Sequence, residues 1–373
     1  MSLIKRVVVF IVLLIFGLIS TPFPAIAQQI NQGQVEEETL EAKVVAVLEE
    51  RLSIPEFGNE KQLYQKLKLL VTKGSLKDRE IVIESGNIPS VNLPKYKSGD
   101  KVIVSYSKDL EGNDSFYITD FIRRSSLLWL FIIFAALATV IGKARGATSL
   151  LGMAISFAII FVFILPKILS GSDPIIIAII GSAFIIPVTF YLSHGFNKKT
   201  SVAIAGTLIA LVITGILAGI FVEASKLTGF ASEEAGFLQA AKGELINIKG
   251  LLLAGIIIGV LGVLDDVTIS QSAIVFQLKQ ANPGIKFEEL YKRATDIGQD
   301  HISSMVNTLI LVYTGAALPL LLLFIDNPHP FSEVINYEII ADEVIRTLVG
   351  SIGLILAVPI TTLLASMVVN KKV

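Results

Sequence analysis

Gly250-Leu-Leu-Leu-Ala-Gly-Ile-Ile-Ile-Gly-Val-Leu-Gly-Val-Leu264 runs, with no break in helical pattern, into Asp265-Asp-Val-Thr-Ile-Ser-Gln-Ser272 and returns to apolar residues at Ala273-Ile-Val-Phe276. The first part suits a bilayer. Two adjacent carboxylates do not: an ionisable group at the bilayer centre costs roughly 2.5–3.5 kcal/mol on insertion scales and persists where it faces a protein interior or a wet cavity. Gly255, Gly259, Gly262, Asp266, Ser270 and Ala273 recur at steps of three or four and share one stripe. Small residues on a stripe admit a second helix at close range. The pattern therefore predicts Gly255-x-x-x-Gly259 packed against a neighbour, with Asp266 turned toward it. Asp265 falls about 100° around the helix, near Thr268. The alternative is that both carboxylates lie at a water boundary and merely end the span. The apolar residues on either side oppose that.

Working outward, composition sets the class. The chain has 373 residues, of which 53% are hydrophobic, and a mean hydropathy of +0.72, as in a membrane protein. A net charge of -1 with no basic block gives no reason to expect a nucleic-acid partner. The absence of cysteine removes disulfides, thiolate metal sites and a Cys nucleophile. With only His194, His301 and His329, a multi-His metal site is disfavoured. There is neither a phosphate-binding Gly-rich loop nor a G-x-S-x-G elbow.

Three regions are expected. Residues 1–27 read as a signal peptide: Lys5 and Arg6, the apolar run Val7 to Ile19, and Ala25-Ile-Ala27 as the cleavage site, with an uncleaved anchor helix as the alternative. Residues 28–125 read as an extracytoplasmic β-rich module. Alternation over Leu40–Leu48, Lys61–Val71, Glu80–Glu84, Lys101–Tyr106 and Phe116–Ile122, with turn signals between, predicts a small OB-like β-barrel. Tyr64, Tyr96, Tyr106, Phe116 and Tyr117 are expected in core packing and strand-edge cover rather than as a stacking platform. Residues 126–373 read as a multi-spanning helical bundle with a polar core at 262–309. Seven transmembrane helices are expected, at about 127–141, 149–169, 174–193, 201–222, 250–272, 302–325 and 346–369.

Topology follows from the loops. If the signal exports the β module, the loops left inside carry Lys143 and Arg145, then Lys198 and Lys199, then Lys279, Lys286, Lys292 and Arg293, and finally Lys371 and Lys372. The loops left outside are acid-rich, with Asp173, Glu223, Glu233, Glu234, Glu244, Asp326, Glu333, Glu338, Asp342 and Glu343, diluted but not reversed by Lys226, Lys242, Lys249 and Arg346. This positive-inside bias puts the module outside and the C-terminus in the cytoplasm. Glu233 to Ile248 is expected as an amphipathic piece at the outer surface. Asn282 to Ile297 is expected as a cytoplasmic surface helix started by Pro283, with Phe287, Leu290, Tyr291, Ala294 and Ile297 on its apolar face.

A second polar stripe follows on the next span: Asp296, Asp300, Ser304, Asn307 and Thr314, flanked by His301 and Thr308. Two successive spans thus carry polar stripes, and they are expected to lie side by side.

Over most of its length the chain resembles the YibE/F family of bacterial membrane proteins, through Gly262-Val-Leu-Asp-Asp-Val-Thr-Ile-Ser-Gln271 and Gly298-Gln-Asp-His-Ile-Ser-Ser-Met-Val-Asn-Thr-Leu309. Residues 255–325 also resemble the acidic-span region of SecD, SecF and the RND permeases, with Asp265-Asp266 followed by Ile274-Val-Phe276 and the Ser303 to Leu309 run. The resemblance implies proton-coupled work in a bacterial cytoplasmic membrane, in which Asp266 would carry the proton, Asp265 would tune it, Asn307, Thr268 and Ser304 would bond the carboxylates, and His301 would relay protons at the cytoplasmic face. It departs from that group in having only Ser170-Gly-Ser-Asp173 between the first two spans of the unit.

The expected function is a proton- or cation-coupled transporter or export factor, needing no cofactor beyond a proton or monovalent coupling ion. Its partners are the lipid bilayer, a second copy or paired membrane subunit, and an extracytoplasmic ligand of the β module. Two alternatives belong to other classes. One is a membrane-embedded divalent-metal enzyme using Asp265, Asp266, Asp300 and His301. The other is a non-transporting scaffold for the β module, in which both aspartates are dispensable.

Overall fold

The computed structural model describes residues 37–55, 60–90, 93–108, 112–325 and 329–370. The expected signal peptide lies outside them. The described residues divide into two compact units, one within residues 37–136 and the other within residues 137–370.

The first unit is an antiparallel five-stranded half-barrel of β1 (Glu38–Ser53), β2 (Gln62–Lys73), β3 (Glu80–Ser85), β4 (Lys101–Lys108) and β5 (Asp114–Phe121), in the order β3-β2-β1-β4-β5. Alternation builds it. Leu40, Ala42 and Val44 on β1, Leu67, Leu69 and Val71 on β2, and Val102 and Val104 on β4 all point into one core, as a period of two requires. The expected closed barrel is not reached. No ladder joins the edge strands β3 and β5 among the described residues, although Arg79 and Asp114 bridge toward each other at 3.4 Å. Buried Gln65 pins the crossing segment. Its Nε2 donates to the Tyr96 carbonyl at 3.0 Å, and its Oε1 accepts from the Tyr96 N–H at 2.8 Å. Tyr64 and Tyr96 are core residues, Tyr106 stacks on Phe116 with centroids 5.1 Å apart, and Tyr117 is exposed.

The helical unit is built from α1 (Arg124–Leu169), α2 (Pro174–His194), α3 (Lys198–Ala224), α4 (Glu233–Lys242), α5 (Ile248–Ala281), α6 (Phe287–Ala316), α7 (Leu318–Ile325), α8 (Phe331–Val334) and α9 (Glu338–Asn370). Side chains that satisfy free backbone N–H groups set the starts. Asp173 accepts from Ile175 and Ile176 at 2.9 and 3.0 Å, ahead of Pro174. Asn197 accepts from Thr200 at 2.9 Å, Ser232 from Ala235 at 3.2 Å and Asn247 from Gly250 at 2.9 Å. Glu338 holds the loop before α4 by accepting from the N–H groups of Thr228 and Gly229 at 2.6 and 2.8 Å. Pro283 does not start a helix: α6 begins at Phe287 and runs unbroken to Ala316, so surface helix and span are one element.

Among the described residues, five helices are long and apolar enough to cross a membrane, or six if α6 and α7, bent by 71°, form one span. The seven expected runs are not matched one for one, because 127–141 and 149–169 both fall within α1. That helix is broken at Lys143, whose φ of 51° is left-handed. The chain folds back there so tightly that a Cβ on Gly146 would land on the Ala138 carbonyl.

α5 is the centre, with 61% of its most apolar window inside the protein against 22–44% for the other four. It packs on α3 and α9, which form an antiparallel seam. Thr361 sits on Gly206, and Thr214 sits on Gly353, where a Cβ would leave no room. A smaller core at one end joins Val202, Val275, Ile285, Leu290, Ala294 and Ala365.

Candidate functional site

Polar residues fix α5 in rotation. Thr268 Oγ1 pairs with Thr207 Oγ1 of α3 at 2.7 Å, and Ser272 Oγ donates to the Lys199 carbonyl at 2.8 Å. Gln271 Nε2 donates to the Ala294 carbonyl of α6 at 2.8 Å and to Thr362 Oγ1 of α9 at 2.7 Å. Thr268, Gln271 and Ser272 are all buried, so each bond is made away from water, where an unmade one is costly. These three residues lock the face that carries Asp265 and Asp266 toward α1 and α2.

Both aspartates line a cavity of about 510 Å³. Gly262 and Ile269 of α5 complete their side. Ser149, Met153, Ser156, Phe157 and Ile160 of α1 face them, with Thr189, Ser193 and His194 of α2. Two carboxylates, four hydroxyls and an imidazole therefore meet in one space between helices. Asp266 is exposed into it. Asp265 is more enclosed, and its Oδ1 is buried with no hydrogen-bond partner among the described residues. Asp265 is thus the more sheltered carboxylate and Asp266 the open one. Adjacent carboxylates repel, and sharing one proton or holding a cation relieves the repulsion.

The expected partners are corrected. Thr268 is committed to Thr207 and not to a carboxylate side chain. On α6 the polar stripe exists, but Asp296, Asp300, Ser304 and Asn307 are exposed and absent from the cavity wall. The reason is competition between faces. Leu290, Ala294, Gly298 and Leu309 form the buried side of α6, which turns the acidic side outward. His301 is half-buried, with Nε2 enclosed and without a hydrogen-bond partner among the described residues, and does not reach this cavity. Ser270 is half-buried and also lies off the wall. The glycine stripe keeps its shared face but is open. A Cβ on Gly255 or Gly262 would meet no described atom within 4 Å, and one on Gly259 only the Tyr313 hydroxyl, at 3.6 Å. Close helix contacts fall instead at Gly206, Gly353 and Gly298.

Asp265, Asp266, Asp300 and His301 do not form one ligand set: among the described residues no group of three or more His, Cys, Asp or Glu could hold a metal ion. The residues missed by pattern are His194, Ser149, Ser156, Thr189 and Ser193. The seven-residue step from Ser149 to Ser156 and the four-residue step from Thr189 to Ser193 place each pair on one helix face.

The family model described as YibE/F-like protein matches residues 130–371, which include both walls of this cavity. No curated protein and no solved structure matches the chain.

Proposed function

This chain belongs to the YibE/F-like family, and from that premise we propose that it is a proton- or cation-coupled transporter or export factor of the bacterial cytoplasmic membrane. The observation that carries the reading is the pair Asp265-Asp266 on a cavity wall of the central apolar helix, opposite His194 and four hydroxyls. Asp265 binds and releases the coupling ion. Asp266 and His194 hold it at the open side of the cavity, and Ser149 and Ser193, which hydrogen-bond at 3.2 Å, mark the entrance. Neutralising Asp265 removes the cost of closing helices over it, and releasing the ion restores that cost, so occupancy is tied to conformation.

The reversal at Lys143 supports two spans in α1. With the loop charges, it supports an external β module and a cytoplasmic C-terminus. The outward acidic face of α6 supports a second membrane subunit covering it. The β module carries the extracytoplasmic contact.

A carbodiimide of low polarity tests the site without a known substrate, since it modifies protonated carboxyls in apolar surroundings. Mass spectrometry of the full chain in lipid is expected to find the adduct on Asp265 at neutral pH. Sodium protects it if a cation is the coupling ion. An unmodified Asp265-Asp266 peptide with and without cation would overturn the assignment.

A further inference from the structure

We propose that the open face of α5 is the floor of a water-filled passage for a small cation, joining two neighbouring cavities that lie in succession along that helix. The cavity described above takes in Gly262, Asp265 and Asp266. A second, of about 330 Å³, lies toward the other end of α5 and takes in Gly255, Ile258, Asp342 and Arg346. Gly259 lies between them on the same face, beside the Tyr313 hydroxyl. From Gly255 to Asp266 is about 16 Å at 1.5 Å per residue, roughly half the hydrocarbon thickness. The two cavities extend the path past both ends of that interval.

Three observations separate this face from a packing surface. Glycines that seat a neighbouring helix are filled: a Cβ on Gly206 or Gly353 would overlap a threonine, whereas Gly255 and Gly262 face open space. Each cavity also has a buried polar atom without a hydrogen-bond partner among the described residues, Asp265 Oδ1 at one end and Arg346 Nε at the other. Lipid tails satisfy neither; water satisfies both, and a cation satisfies the carboxylate alone. Finally, acid lies along the path. One cavity holds Asp265 and Asp266; the other holds Asp342, paired with Arg346 at 3.2 Å, while Glu343, outside its wall, lies 3.8 Å from the same guanidinium. Acidic mouths with apolar walls concentrate cations and repel anions.

The chain has no cysteine, so single cysteines can be placed without removing any. Gly255→Cys, Gly259→Cys and Gly262→Cys in full-length protein in lipid vesicles are treated with a cationic and with an anionic methanethiosulfonate. Val212→Cys and Ile216→Cys on the exposed face of α3 serve as lipid-facing controls. The cationic reagent is expected to modify all three glycine positions at least about tenfold faster than the controls and at least about tenfold faster than the anionic reagent. Adding Asp266→Asn is expected to narrow the cation preference at position 262 more than at 255. Rates equal to the controls, or equal rates for the two reagents, would overturn the passage. If a glycine variant fails to insert, Ser156→Cys on the facing wall carries the same test, since that exchange is nearly isosteric. The labelling reads the passage alone and the carbodiimide reads the carboxylates alone, so one proposal can fail while the other stands.

Discussion

Gly206→Ala measures how tightly the scaffold holds α5. An added Cβ would fall on Thr361 Oγ1 and lie 3.2 Å from Thr361 Cβ and 3.4 Å from its Cγ2, with both residues buried. The helices have little freedom to separate, because Thr214 occupies Gly353 on the same seam in the same way. Overpacking of this kind costs about 1–3 kcal/mol. Thr361→Ala behaves differently. It gives up about 1 kcal/mol of methyl burial. It also deletes a hydroxyl that is buried without a hydrogen-bond partner among the described residues, which returns about 1 kcal/mol or more. Thr361→Ala is therefore expected near neutral, and the double variant should recover most of the loss, with a coupling of about 1–2 kcal/mol. Equilibrium unfolding in mixed micelles, followed by circular dichroism, gives all four stabilities. A Gly206→Ala protein as stable as wild type, or a double variant that loses the sum of the single losses, would refute the seam. The consequence reaches the site, because the next residue, Thr207, is the one that holds Thr268 three residues from Asp265.

Gln271→Leu removes the two bonds that tie α5 to α6 and α9, and is expected to cost about 1–3 kcal/mol and to expose α6 to added protease; an unchanged digestion pattern would argue against the tie. In the β module, hydrogen bonds from the Ser75 hydroxyl and N–H hold the Glu38 carboxyl below its ordinary value of 4.5. That stabilisation is present above pH 4.5 and lost as the pH falls through the depressed value, so Glu38→Gln should lower the module's melting temperature at neutral pH and flatten the acid side of its profile, the two proteins converging at low pH. Tags placed ahead of β1 and after Val373 should be digested from opposite sides of sealed vesicles; digestion from the same side would break the seven-span arrangement.

Much of the fold was legible because apolar periodicity reports directly on it. The strand starts at Lys101 and Glu80 and the buried sides of β1 and β2 follow from alternation alone. The extension of β1 through Glu49-Glu-Arg51 does not, since that polar run takes its strand geometry from pairing with Gln65 and Tyr64 on β2. The break in α1 at Lys143 falls in the loop expected between the runs 127–141 and 149–169. The aspartate pair was legible as a site because bilayer physics makes it expensive. Its neighbours were not. Periodicity tells which residues share a face of α6, but not that Leu290, Ala294 and Gly298 would claim the interior and turn Asp300 and Asn307 away. In the same way, hydroxyls such as Ser156 and Thr189 look like packing residues until tertiary structure places them around a common space.

Infrared difference spectroscopy of the full chain in lipid bears most directly on the carboxylate pair. Wild-type protein is expected to show a protonated-carboxyl band at neutral pH that disappears in Asp265→Asn and shifts but persists in Asp266→Asn. A spectrum with no such band until strongly acidic pH, or a band indifferent to Asp265→Asn, would contradict a proton held at Asp265 and leave a bound cation or a solvated helix face in its place.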